Sequence, residues 1–247
     1  MQAMTIHGSL FQDFREKETA DPFSLQNKKL LRVDMRYGEV MARAGSMVAY
    51  QGDIRFTKKS QGMSNMFKSA VTGEGLTLMS CAGQGELFLA ESAAEVQVMY
   101  LENDAISVNG NNVLAFSSSI SWEIHRIQAR GGAMTGGLYN VGLKGTGYVA
   151  VTTKGDPVAL DVASAPTFAD AQAVVLWTSG VRMDVRIDTG GLGSLVRGGT
   201  GELVQMAFSG QGHVLVQPSE SVVDGGHQQS GGGNSGGAGG LLGQVLG

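Results

Sequence analysis

One phrase is written three times in this chain, and it constrains the fold more than any bulk property. MSCAGQGELFLA at 79–90 returns as VGLKGTGYVAV at 141–151 and as MAFSGQGHVLVQ at 206–217. The copies align on the glycine pairs Gly83/Gly85, Gly145/Gly147 and Gly210/Gly212, spaced 62 and 65 residues apart. Seven residues before each first glycine stands a leucine: Leu76, Leu138 or Leu203. A second phrase precedes each copy in the same order: VAYQGDI at 48–54, LAFSSSI at 114–120 and VLWTSGV at 175–181. Each carries an aromatic residue (Tyr50, Phe116, Trp177) and, four positions on, a β-branched apolar one (Ile54, Ile120, Val181). Two phrases in fixed order, three times over, identify an internal triplication. Its period of about 60–65 residues is longer than the ~20–50 of common solenoids.

Each copy reads as β structure. ISWEIHRI and VRMDVRI alternate apolar and polar residues with a period of two, the mark of half-buried antiparallel strands. DMRYGEVMARAG, DAISVNGNNVLAF and VALDVAS are short runs broken by Gly, Asn or Asp. Helical candidates are confined to residues 10–18 and Ser64–Ala70. The expected fold is all-β: three repeats of a short double-stranded β-helix or sandwich unit about a pseudo-threefold axis. The divisions are an N-terminal segment 1–22, repeats over 23–95, 96–156 and 157–220, and a tail 221–247. The glycine pairs are expected in tight strand connections, where glycine supplies a positive φ, and Tyr50, Phe116 and Trp177 in the repeat cores.

The connections between the two phrases, Arg55–Gly73, His125–Thr135 and Arg182–Gly201, diverge most. Variable loops on a repeated scaffold suit a protein partner, and covers for a sheet edge equally well. From Gly225 onward the chain has eleven glycines and no formally charged residue. Such a tail does not offset its ordering entropy, so it is expected to be disordered. Its apolar end, Leu241–Leu246, is a second candidate attachment point.

The chemical motifs mostly exclude. GTGYVA at 145–150 fits a dinucleotide fingerprint, but strands follow all three glycine pairs where that fingerprint requires a helix. No Walker-type loop occurs. His7, His125, His213 and His227 stand isolated, and Glu123 with His125 makes two ligands of the three or more that a metal needs. No catalytic, cofactor-binding or metal-ligating residue is therefore assigned, and no cofactor is expected. Cys81, the single cysteine, is expected to be a small buried hydrophobe. With a net charge of −4 and a basic–aromatic cluster (Arg55, Phe56, Lys58, Lys59, Phe67, Lys68) in one copy only, nucleic acid is not an expected partner. The start of the sequence has no secretory pattern and no apolar run is long enough for a membrane helix, so a cytoplasmic location is expected.

With VAYQGDI, GELFLA, DAISVNG, VLAF, AVVLW and HVLVQPSE in view, the chain resembles the Altered Inheritance of Mitochondria 24 family over residues 23–220. The resemblance implies a fold like that of the trp RNA-binding attenuation protein, with three repeats per chain and homotrimers that close nine repeats into a ring. The attenuation protein's RNA-binding set has no threefold counterpart here, and the histidine-rich metal site of the related cupins is missing. Mitochondrial members act in inner-membrane organisation. Without a transit peptide, this chain is expected to be a bacterial cytosolic member. The expected function is a non-enzymatic, ring-forming scaffold or binding platform. The alternative is a nucleic-acid or small-ligand binder at repeat junctions, and a cupin-like enzyme comes third.

Overall fold

Alternating apolar and polar residues, interrupted by Gly, Asn and Asp, produce strands and little else. In the computed structural model, which describes residues 7–59, 76–128, 134–187 and 204–218, a single α-helical turn, α1 (Leu10–Asp13), precedes fifteen strands. They are β1 (Phe23–Asn27), β2 (Leu30–Asp34), β3 (Val40–Arg43), β4 (Met47–Lys59), β5 (Leu78–Leu89), β6 (Glu95–Asn109), β7 (Val113–Ser117), β8 (Ser121–Gln128) and β9 (Met134–Thr153). The remainder are β10 (Val158–Asp161), β11 (Thr167–Asp170), β12 (Val174–Thr178), β13 (Val181–Ile187), β14 (Val204–Gly210) and β15 (His213–Val216). Much of the divergent connections and all of the glycine-rich tail, with the helical candidate Ser64–Ala70, lie outside the described residues.

Every described pairing is antiparallel. Twelve strands form one sheet that runs β1-β2-β5-β3-β7-β9-β6-β12-β15-β10, with β4 on β5 and β8 on β9. The other three form the sheet β11-β14-β13.

Three ladders share one irregularity. In β4–β5 the register skips between Met47 and Ala49, in β7–β9 between Val113 and Ala115, and in β12–β15 between Val174 and Leu176. The skipped residue is the first of each aromatic phrase: Val48, Leu114 or Val175. A bulge of this kind turns the strand and resets its twist. Beyond it the aromatics fall opposite matching positions: Tyr50 on Leu87, Phe116 on Val149 and Trp177 on Val214.

The glycine pairs are not hairpin turns, contrary to the expectation. Gly83 and Gly85 lie inside the continuous strand β5, and Gly145 and Gly147 inside β9. Only Gly210 and Gly212 flank a break, between β14 and β15. The positive φ is present all the same, at 141° for Gly83 and 115° for Gly210. It serves to kink a strand that passes from one neighbour to the next. The first half of β5 pairs with β3 and the second with β2, while β4 follows along the full length. At Gly83 a side chain would collide with the Asp53 carbonyl, so close backbone approach excludes a Cβ as well.

Three apolar cores result. The first gathers Leu31, Val33, Ile54, Cys81, Leu87 and Leu89 with Leu114 and Ala150 from the second stretch of chain. The second gathers Ile106, Val108, Phe116, Val141 and Leu143 with Val175 and Leu176 from the third. The third is built on Val174, Trp177, Val181, Met206, Phe208 and Val214. Phe116 and Trp177 are buried as expected, at 0% and 6% exposure. Tyr50 is a correction: it is 46% exposed. Phe116 lies beneath the junction with β3 and Trp177 beneath that with β6, whereas among the described residues no strand lies beyond the Tyr50 edge of β4.

Candidate functional site

Two backbone junctions inside the chain follow one rule. At the first, β3 lies on β7 with Val40, Met41 and Ala42 opposite Ser117, Phe116 and Ala115. At the second, β6 lies on β12 with Ile106, Ser107 and Val108 opposite Thr178, Trp177 and Leu176. Each extends by one further hydrogen bond: Ser118 N–H donates to the Glu39 carbonyl (3.0 Å) and Ser179 N–H to the Ala105 carbonyl (3.1 Å).

A side chain clasps each junction. Arg43, last in β3, donates through Nε to the Val113 carbonyl (2.9 Å) and through Nη2 to the Gly110 carbonyl (2.5 Å). Asn109, last in β6, donates through Nδ2 to the carbonyls of Val174 (3.2 Å) and Ala171 (3.5 Å). These residues went unnoticed in the sequence because Arg and Asn share no chemistry beyond an N–H donor. Their common signal is position: both stand opposite the residue five before a first glycine, Leu78 and Asn140 respectively.

Two sheet edges lack such a partner among the described residues. One is the Met47–Gln51 end of β4, where Val48 is 59% exposed although Leu114 and Val175, at the corresponding bulges, are fully buried. The other is β11, the edge strand of the three-stranded sheet. Residues 15–17 run along β1 toward the first edge. Lys17 N–H donates to Gln26 Oε1 (2.8 Å), Gln26 Nε2 to the Arg15 carbonyl (2.7 Å), and the Gln51 amide to Glu16.

Ion pairs lie near the same end. Arg32, 3% exposed, donates to Glu86, and this hydrogen bond holds its guanidinium pKa above the ordinary value. Its Nε and Nη1, and Ser24 Oγ on the residue opposite, have no hydrogen-bond partner among the described residues. Asp34 is buried and accepts from the Arg36 guanidinium (2.6 Å to Nη2) and backbone N–H (3.0 Å). The side-chain bond from Arg36 lowers the Asp34 pKa despite the opposing effect of burial.

Elsewhere the chemistry is sparse. Among the described residues no group of three or more His, Cys, Asp or Glu is placed to hold a metal. Glu123 and His125 face each other at 3.6 Å with both side chains largely in solvent. They line an open groove of about 240 Å³ with Trp122, Ile106, Lys144 and Ser179, at the junction of β6 with the third stretch. Cys81 is fully buried, and burial, helped by the Glu39 charge, pushes its thiol up to about 12. A thiol so placed is a poor nucleophile. No helix among the described residues is long and apolar enough to cross a membrane.

The family model described as mitochondrial biogenesis AIM24 matches residues 23–219. The fold is similar to the X-ray structure of a Streptococcus pyogenes protein from a structural-genomics programme. The TM-score is 0.65 at 24% identity, over 80% of this chain and 92% of that one. At that identity the likeness speaks for the fold alone. None of the curated proteins matches the chain significantly in sequence.

Proposed function

The chain belongs to the mitochondrial biogenesis AIM24 family, and from that premise we propose that it is a non-enzymatic, ring-forming scaffold built from three repeats of one β unit about a pseudo-threefold axis. Copies join end to end, β11 of one lying on the open edge of β4 in the next, and three copies close the ring. The number three comes from the family resemblance. The head-to-tail contact is argued from this chain, because a heterologous interface either closes or runs on as a filament.

The observation that carries this reading is the shared register of the two internal junctions. Val40, Ile106 and Thr167 stand opposite Cys81, Leu143 and Phe208, each two residues before a first glycine. Ser117 and Thr178 end the parts of their aromatic phrases that are paired at these two junctions, and Gln51 is the residue at the same place in the first phrase. The third junction then sets Thr167, Phe168 and Ala169 opposite Gln51, Tyr50 and Ala49 of the next copy, with Gly52 N–H reaching the Pro166 carbonyl. Val48 and Tyr50 become covered as Leu114 and Phe116 are, which removes an exposed apolar edge of the kind that natural sheets protect.

Light scattering tests the ring: about 77 kDa, three times 25.7 kDa, is expected at micromolar concentration, and a monomer ends the reading. A variant carrying Ala49→Cys and Ala169→Cys should form disulfides between copies under mild oxidation, since these two alanines would face each other. The cytoplasmic location belongs to the same proposal, and cell fractionation tests it against a mitochondrial one. A second reading, small-ligand binding at a repeat junction, rests on the groove lined by Trp122, Glu123 and His125. Native mass spectrometry of protein purified without denaturation tests it, with a bound small molecule lost in Trp122→Ala as the supporting result.

A further inference from the structure

We infer, building on the ring reading above, that Asp170 occupies the clasp position of the copy-to-copy junction and leaves that junction without the side-chain hydrogen bonds that lock the two within the chain. Asp170 ends β11 as Arg43 ends β3 and Asn109 ends β6. It stands opposite Gln205, five residues before Gly210, just as Arg43 and Asn109 stand opposite Leu78 and Asn140. The local turn is also the same. Asn109 Oδ1 accepts from Asn111 N–H (3.0 Å), and Asp170 Oδ1 accepts from Gln172 N–H (2.6 Å). The backbone repeats as well, Ser46 N–H donating to the Arg43 carbonyl (3.2 Å) and Ala173 N–H to the Asp170 carbonyl (3.1 Å).

Arg43 and Asn109 spend their donors on two carbonyls of the following stretch. One belongs to the residue before the bulge (Val113, Val174) and one to the residue three earlier (Gly110, Ala171). In the first stretch those positions are Met47 and Ala44, so the Asp170 side chain of one copy is directed at the Met47 and Ala44 carbonyls of the next. An ionised carboxylate only accepts. It keeps the half of the Asn109 arrangement that needs an acceptor and lacks the half that needs a donor, so acceptor meets acceptor where Arg43 and Asn109 form bonds. The copy-to-copy junction is therefore the weakest of the three, and the ring opens there while the chain stays folded.

The test replaces one oxygen by an amide. Asp170→Asn supplies the missing donor without changing shape, and Asp161→Asn is the control. Asp161 makes the same kind of turn contact, to Ala163 N–H (3.0 Å), away from the junction. The full chain and both variants are diluted in analytical ultracentrifugation, with thermal melts to verify folding. Asp170→Asn should hold the assembly to about tenfold lower protein concentration than wild type, with Asp161→Asn unmoved. An assembly whose dissociation midpoint is unchanged or higher in Asp170→Asn overturns the clasp inference and leaves the ring standing, as does an equal gain in Asp161→Asn, which would make the effect one of bulk charge. Monomers in all three samples at every concentration would remove the ring reading and this inference with it.

Discussion

Tyr50 and Phe116 hold the same place in their ladders, opposite Leu87 and Val149 just past a bulge, yet Phe116 is fully buried and Tyr50 is 46% exposed. The difference lies beyond the strand: β3 packs on β7, and among the described residues nothing corresponding packs on the Tyr50 edge of β4. Truncation should separate the two. Phe116→Ala leaves a cavity in a close-packed core and should cost about 3–5 kcal/mol in urea unfolding. Tyr50→Ala should cost the isolated fold less than about 1 kcal/mol while weakening assembly in light scattering. Similar unfolding losses for both would contradict this account.

The glycine kinks differ in tightness. A Cβ at Gly83 would overlap the Asp53 carbonyl, whereas at Gly145 the nearest atom, the Ser119 carbonyl oxygen, is 3.2 Å away. Both have φ of 141°, a region that costs a side chain about 1–3 kcal/mol. Both alanine variants should therefore melt earlier than wild type, and Gly83→Ala clearly earlier than Gly145→Ala. The opposite order in thermal melts would exclude the steric argument.

Cys81 gives an alkaline signature. Its thiol is raised from the ordinary value of 9.0 to about 12 by burial. The unfolded chain thus loses this proton first, and the stability associated with the neutral thiol, complete below pH 9, is lost as pH rises toward 12. Cys81→Ala should flatten that part of the pH–stability curve. In the folded protein at pH 8 the thiol should resist a thiol-reactive dye until denaturant is added.

Asp34 acts at the other end of the scale. The Arg36 bond lowers its pKa below the ordinary 3.8, so its contribution is present above that value and is lost as pH falls through the lowered one. Asp34→Asn, which keeps the turn but weakens the ionic contact, should lose stability at pH 7 and show a shallower acid transition. An acid unfolding curve that is parallel to wild type would disprove the role.

RNA should bind weakly. With a net charge of −4 few phosphates can be neutralised, so affinity at physiological salt should be poor and should fall further as salt rises. Submicromolar, sequence-selective binding in a filter assay would overturn this expectation.

Period-two alternation and the phrase spacing made the all-β class legible, because side-chain direction along a strand is a local property. Burial of Phe116 and Trp177 followed from apolar context in the same way. Tyr50 departs from the expectation because its exposure depends on whether a strand lies beside β4, and no residue near it in sequence supplies one. The glycine pairs resemble hairpin turns in sequence for a related reason. Positive φ is common to a turn and a kink, and only the partners on both sides, β2, β3 and β4 for β5, distinguish them. The clasp of Arg43 and Asn109 escaped because carbonyl acceptors some 60–70 residues away leave no mark on composition.

The kinked strands carry a consequence for hydrogen exchange. A strand that bends at Gly83 or Gly145 belongs to two ladders at once, so neither ladder can fray without dragging on the other through a single backbone. Amides of Leu78–Leu89 and of the described middle of β9 should therefore exchange together, at the rate of global opening. Where β14 and β15 are separated by a break after Gly210, the two halves are free to open on separate clocks, and the third stretch should be the first of the three to take up deuterium.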